Sequence, residues 1–168
     1  MTEFHCNDFD FRTFEEELRV DQHCRLLIKG FYDWLLERGE STERASALAY
    51  CVDYYLRDYL MDALSCNVLR VRSGLVRCFG GTWYITRIMD PEITSLEQHL
   101  DGILAYYGYL LESGLITAQE MAMVEAECAD RGWYCRRIEE FLNLKGDGYD
   151  AWEQECSFRS LSEEVKQV

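Results

Sequence analysis

The chain has 168 residues with 17 basic and 31 acidic side chains, a net charge of −14. That charge repels phosphate backbones and disfavours non-specific nucleic-acid binding by the molecule as a whole. Apolar residues make up 48% and aromatics 14%, enough for a packed core and unlike a disordered chain. One proline, Pro91, argues against turn-rich β sandwiches and barrels and toward helices. The length suggests a single domain over 1–168. No apolar run approaches the roughly 20 residues needed to cross a bilayer, and the acidic start MTEFHCNDFD is unlike a signal peptide. A cytoplasmic location with reduced thiols is expected for the eight cysteines, several of which fall on core stripes.

The spacing predicts a first helix over about 12–38. Val20, Cys24, Leu27, Ile28, Phe31, Trp34 and Leu35 recur as one helical face. Gly39 suits the left-handed turn that ends it, and Ser41 or Thr42 can cap the next helix. A second helix is predicted over about 42–64, with Ala45, Leu48, Val52, Tyr55, Leu56, Tyr59 and Leu60 as its stripe. In 66–89, Leu75, Cys78, Phe79 and Trp83 fit helical spacing, but Gly80-Gly81 interrupts them. One or two short helices bent at the glycines are expected, stopped by Asp90-Pro91.

The next helix is predicted to begin at a capping box, Thr94-Ser95-Leu96-Glu97. Leu96, Leu100, Ile103, Leu104, Tyr107 and Leu111 form its stripe, and Gly114 ends it. A second box, Thr117-Ala118-Gln119-Glu120, opens a helix over about 118–143 with Met121, Val124, Cys128, Cys135, Ile138 and Leu142 on one face. NLKGDGYD reads as a turn, followed by one helix or two short ones over about 149–165. The fold class expected is all-α, a bundle of about five to seven helices. FYDWLLERGEST (31–42) and YYGYLLESGLIT (106–117) share one pattern: aromatics, Leu-Leu-Glu, a glycine and a closing hydroxyl residue. Each reads as one αα corner and not as a duplicated active site.

Motifs that carry chemistry are scarce. His5-Cys6 and His23-Cys24 are zinc-ligand types, but neighbours on a helix point about 100° apart, and Cys24 is already on a core stripe. A di-iron bundle would want Glu-x-x-His, and neither His5, His23 nor His99 has it. In 143–154, Asn143, Lys145 and Gln154 stand where a calcium loop wants carboxylates. The glycines of SGLVRCFGGT lack the Gly-Lys-Ser/Thr ending of a phosphate loop, and no Gly-x-Ser-x-Gly is present. No metal, cofactor or catalytic residue is therefore expected, and the chain does not read as an enzyme.

Charge is uneven. Residues 66–89 carry Arg70, Arg72, Arg77 and Arg87 with no acid, and hold Trp83 and Tyr84 as well. Arginine and aromatics are enriched in protein interface hot spots. These six residues are the candidate interaction surface; the competing reading is that the arginines pair with acids elsewhere in an acidic protein.

Phe31, Trp34, Leu35, Gly39 and Ser41, followed by Leu100, Ile103, Leu104, Tyr106, Tyr107, Tyr109, Leu110, Gly114 and Ile116, form two corners with a helix between them. In this arrangement the span 31–117 resembles the N-terminal core-binding domain of tyrosine recombinases (phage integrases), a SAM-like helical fold. The resemblance implies a four-helix core with additional helices over 118–168. It does not carry over strand cleavage, because the Arg, His, Arg and Tyr set of the family's catalytic domain has no counterpart here. The function expected is non-catalytic association with a protein partner or a second copy through the 66–89 segment. A stand-alone DNA-binding accessory module is the alternative, and an unidentified enzyme or metal-binding protein the second alternative.

Overall fold

The structure is a computed structural model that describes residues 3–166. It is all-helical, with no strand among the described residues. A short 3-10 turn, Cys6–Phe9, precedes α1 (Phe14–Glu37), which Thr13 caps by accepting from Glu16 N while the Glu16 carboxylate accepts from Thr13 N. The face expected for α1 is largely the buried one: Val20, Cys24, Leu27, Phe31 and Leu35 are core, and Ile28 and Trp34 are half-buried. α2 (Thr42–Asp53) is capped by Ser41 and runs without a break into a π-helical stretch, Tyr54–Ala63.

The glycine pair does not bend a helix apart. α3 (Leu75–Cys78), a π turn (Phe79–Trp83) and α4 (Tyr84–Arg87) form one continuous helical run. Gly80 and Gly81 lie inside it because aromatic rings occupy the space side chains would need. A Cβ on Gly80 would lie 2.8 Å from the Tyr134 ring, and one on Gly81 would overlap Trp133. The two π segments face each other through ring pairs, with Tyr55–Phe79 centroids 5.2 Å apart and Tyr59–Trp83 5.1 Å apart.

The N-terminus of α3 has no capping side chain of its own, since Gly74 precedes it with φ 90°. The buried carboxylate of Glu127 supplies the missing acceptor, taking hydrogen bonds from Gly74 N at 2.6 Å and Arg77 N at 2.9 Å. Glu153, also buried, does related work for the last helix: it accepts from Ser157 Oγ at 3.1 Å and Arg159 N at 3.3 Å.

α5 (Ile93–Glu112) starts one residue before Thr94, with Glu92 at the cap position and no side-chain cap, so the expected box at Thr94 does not form. The box at Thr117 does form and opens α6 (Ala118–Ala129). The single helix expected over 118–143 is instead two, because Asp130 leaves helical geometry (φ −80°, ψ 58°) and α7 (Arg131–Leu142) begins anew. The Arg131 side chain takes up the freed Cys128 carbonyl at 2.7 Å and reaches the Glu97 carbonyl and the Asp101 carboxylate on α5. The break rotates the far half of the stripe: Met121, Val124, Cys128 and Ile138 are buried, Cys135 is half-buried and Leu142 is exposed. α8 (Tyr149–Glu155) and α9 (Phe158–Lys166) follow as two short helices.

The two similar corners meet. Phe31 and Tyr106, which hold equivalent places in the two patterns, pack edge to face at 5.7 Å, and Trp34 and Tyr109, also equivalent, lie 5.9 Å apart. Both helix ends close in the same way. Gly39 N and Glu40 N donate to Leu36 O and Leu35 O; Gly114 N and Leu115 N donate to Leu111 O and Leu110 O. The repeat is one corner built twice and packed on itself. Buried residues from Phe9 to Leu161 belong to one continuous core.

Candidate functional site

The six residues of the acid-free segment do not share a face. Trp83 and Tyr84 are only 4% and 3% exposed and belong to the aromatic core. Their place on a surface is corrected by the helical run of α3 to α4, which turns them inward toward Tyr54 and His99. Arg77 lies along α6 and α7, pairing with Asp130 at 3.2 Å and stacking 4.0 Å over the Trp133 ring. Arg87 sits at the far end of the run, over Trp83. Only Arg70 and Arg72 open onto a common space.

That space is a cleft of about 820 Å3 between the 65–72 loop, the N-terminal segment and the end of α9. Ligand pockets commonly span about 300–1,000 Å3. Arg12, Arg70, Arg72 and Lys166 line it, against two acids, Asp10 and Glu120. Arg70 pairs with Asp10 at 2.9 Å. Ten of the 17 cations, Arg70 included, make ion pairs among the described residues. Arg12, Arg72 and Lys166 make none there, and neither do Arg19, Arg87, Lys145 and Arg159 outside the cleft; three of these seven gather at this one cleft. Phe11, Leu69, Val71, Leu75, Leu115 and Val165 give the cleft an apolar lining between the charges.

The loop that builds the cleft is fixed in place. Asn67 Nδ2 donates to the Cys6 carbonyl and to Asp10 Oδ1, each at 2.8 Å, while Asn67 Oδ1 accepts from Leu69 N at 2.9 Å. Ser65 enters the loop with φ 53°, a left-handed conformation that a residue with a Cβ seldom adopts. Arg12 and Lys166 belong to this site and were outside the segment singled out in the sequence. They come from the 6–12 segment and the end of α9, and no local pattern joins them to Arg72.

The zinc-type pairs do not converge. His23 Nδ1 lies 3.2 Å from the Asp8 carbonyl, and the Cys24 thiol is buried and directed at Met61 Sδ. Burial pushes the Cys24 thiol up to about 12. Among the described residues no group of three or more His, Cys, Asp or Glu is arranged to hold a metal ion, and no helix is long and apolar enough to cross a membrane. Comparison with family models, with curated proteins and with solved structures finds no match to this chain.

Proposed function

We propose that the chain works without catalysis, by association, and that the cleft between the 65–72 loop, the N-terminal segment and α9 receives an acidic protein segment with apolar side chains among its carboxylates. The observation that carries this reading is the gathering of Arg12, Arg72 and Lys166, which make no ion pair among the described residues, around one partly apolar cleft in a protein of net charge −14. Most arginines of an acidic protein are satisfied by its own carboxylates; three gathered without such partners leave an electrostatic demand that an outside anion meets. Arg70 adds a charge whose pairing with Asp10 is exposed and easily exchanged. The segment can come from a partner or from a second copy, since the chemistry is the same.

Sedimentation of the protein alone reads self-association. Titration with a labelled peptide alternating glutamate with leucine reads the partner case. Either signal should weaken with added salt and with Arg72→Glu combined with Lys166→Glu. Retardation of duplex DNA at low salt, with no binding of the acidic peptide, would count against this reading and favour a DNA-binding accessory module related to recombinase core-binding domains.

A further inference from the structure

The chain carries on its own surface a segment of the kind the cleft is suited to receive. α1 opens Phe14-Glu15-Glu16-Glu17-Leu18, apolar side chains on either side of carboxylates. Phe14 is 72% exposed and Leu18 49%, and residues four apart stand on one face of a helix. Both border a hollow of about 360 Å3, whose other walls are Glu17, Asp21, Arg57, Asp58, Met61 and Asp62. The one cation of that hollow is already taken: Arg57 pairs with Asp21 at 3.0 Å and with Asp53 at 2.7 Å. Glu17, Asp58 and Asp62 make no ion pair among the described residues. Asp58 and Asp62 are exposed, and buried Met61 lies between them in the chain.

This acidic face and the basic cleft lie side by side. Arg12 lines the cleft, and Phe14, two residues on, borders the hollow. Asp62 lines the hollow, and Ser65, three residues on, lines the cleft. Two residues of chain span at most about 7 Å and three at most about 11 Å. The two faces are thus halves of one surface, negative on one side and positive on the other, with apolar groups in both. Such a surface is complementary to itself. A two-fold rotation lays the positive half of one copy on the negative half of the other, does so twice, and closes the pair. Halves on opposite sides of the molecule would instead run head to tail into an open series. Two copies of net charge −14 repel overall, so contact is selected where opposite signs meet.

We infer that the occupant of the cleft is a second copy of this chain, and that the two copies form a closed two-fold dimer. Phe14 and Leu18 of each copy enter the other's cleft, against its apolar lining at Leu69, Val71 and Val165. Arg12, Arg72 and Lys166 of each copy face Glu17, Asp58 and Asp62 of the other. Removal of Phe14 and Leu18 from water supplies the non-directional part of the attraction, and the charges fix the orientation. This inference rests on the reading of the cleft and names its occupant.

Sedimentation velocity of the full chain over a concentration series tests it. Wild type should pass from monomer to a discrete dimer and no further. Arg72→Glu with Lys166→Glu, and separately Asp58→Lys with Asp62→Lys, should each raise the dimer dissociation constant roughly tenfold or more. An equimolar mixture of the two variants should restore a dimer, because every contact between them then joins opposite signs; variants that had failed to fold would not recover in this way. The glutamate–leucine peptide should compete and return wild type to monomer. A wild-type chain that stays monomeric yet binds the peptide overturns the dimer and leaves the reading of the cleft standing. A monomer that binds no peptide overturns both. A dimer that survives both reversals, a mixture that does not recover, or a series that grows past the dimer overturns the two-fold arrangement.

Discussion

Trp34 and Glu112 stand 78 residues apart and meet where the two similar corners pack, the indole Nε1 donating to the carboxylate at 3.0 Å. Arg38 completes the contact with a second bond to the same carboxylate. In this contact the first corner gives the donors and the second the acceptor. The bonds from Trp34 and Arg38 hold the Glu112 carboxyl below its usual range. A carboxylate with a depressed folded-state pKa contributes stability that is present above the unfolded value and lost as pH falls through the folded one. Glu112→Gln should therefore lower the urea midpoint at neutral pH, and the gap from wild type should close in acid below that folded-state pKa. An unchanged midpoint at neutral pH would show the contact to be idle.

Gly81 tests the reason for the glycine pair. Gly81→Ala puts a methyl into the Trp133 ring and should cost about 1–3 kcal/mol by denaturant unfolding. Gly108→Ala is the contrast. Nothing lies within 4 Å of its added carbon, and it sits inside α5, so the change should stabilise by roughly 0.5–1 kcal/mol.

Glu127 caps a helix from a distance of some fifty residues. Glu127→Ala leaves Gly74 N and Arg77 N without their acceptor in a partly buried place and should cost about 2 kcal/mol. Hydrogen exchange should show amides 74–78 losing protection ahead of those in α5. Uniform loss across the chain would argue that Glu127 supports packing in general and not this helix start.

His99 lies among Tyr54, Phe79 and Tyr84, with its ring 4.9 Å from that of Tyr84, and burial holds its pKa below the usual value. A histidine of depressed folded-state pKa binds fewer protons in the native than in the unfolded chain near its ordinary pKa. Stability then rises with pH there and falls on acidification. Unfolding free energy should drop as pH falls through the ordinary histidine range near about 6.5, and His99→Phe should flatten that slope. The same slope in the variant would assign it to another group.

Much of the fold was legible because it depends on local periodicity and on caps. The stripe of α1, the turns at Gly39 and Gly114, and the box at Thr117 each depend on residues within a few positions of one another. What was not legible depends on contacts between distant segments. Gly80-Gly81 reads as a break until Trp133 and Tyr134 are seen to fill the space beside it. Glu127 looks like an ordinary acid of an amphipathic helix, yet it caps another helix. Trp83 and Tyr84 lie in a charged segment, yet the helical run turns them into the core. The cleft was half visible: Arg70 and Arg72 stood out by the lack of acids near them in the chain. Arg12 and Lys166 join them only because the segment around residues 6–12 and the end of α9 border the same cleft.

The most direct test of the central claim is a binding isotherm for the alternating glutamate–leucine peptide, measured at low and at physiological salt, for wild type and for Arg72→Glu with Lys166→Glu. Both substitutions lie on the cleft rim and outside the core, so the variant should keep its helical circular dichroism and its unfolding midpoint. The account predicts that wild type binds, that salt weakens the binding, and that the folded variant loses roughly tenfold or more in affinity. Equal affinity of wild type and variant, or no binding by wild type together with no self-association in sedimentation, would contradict it.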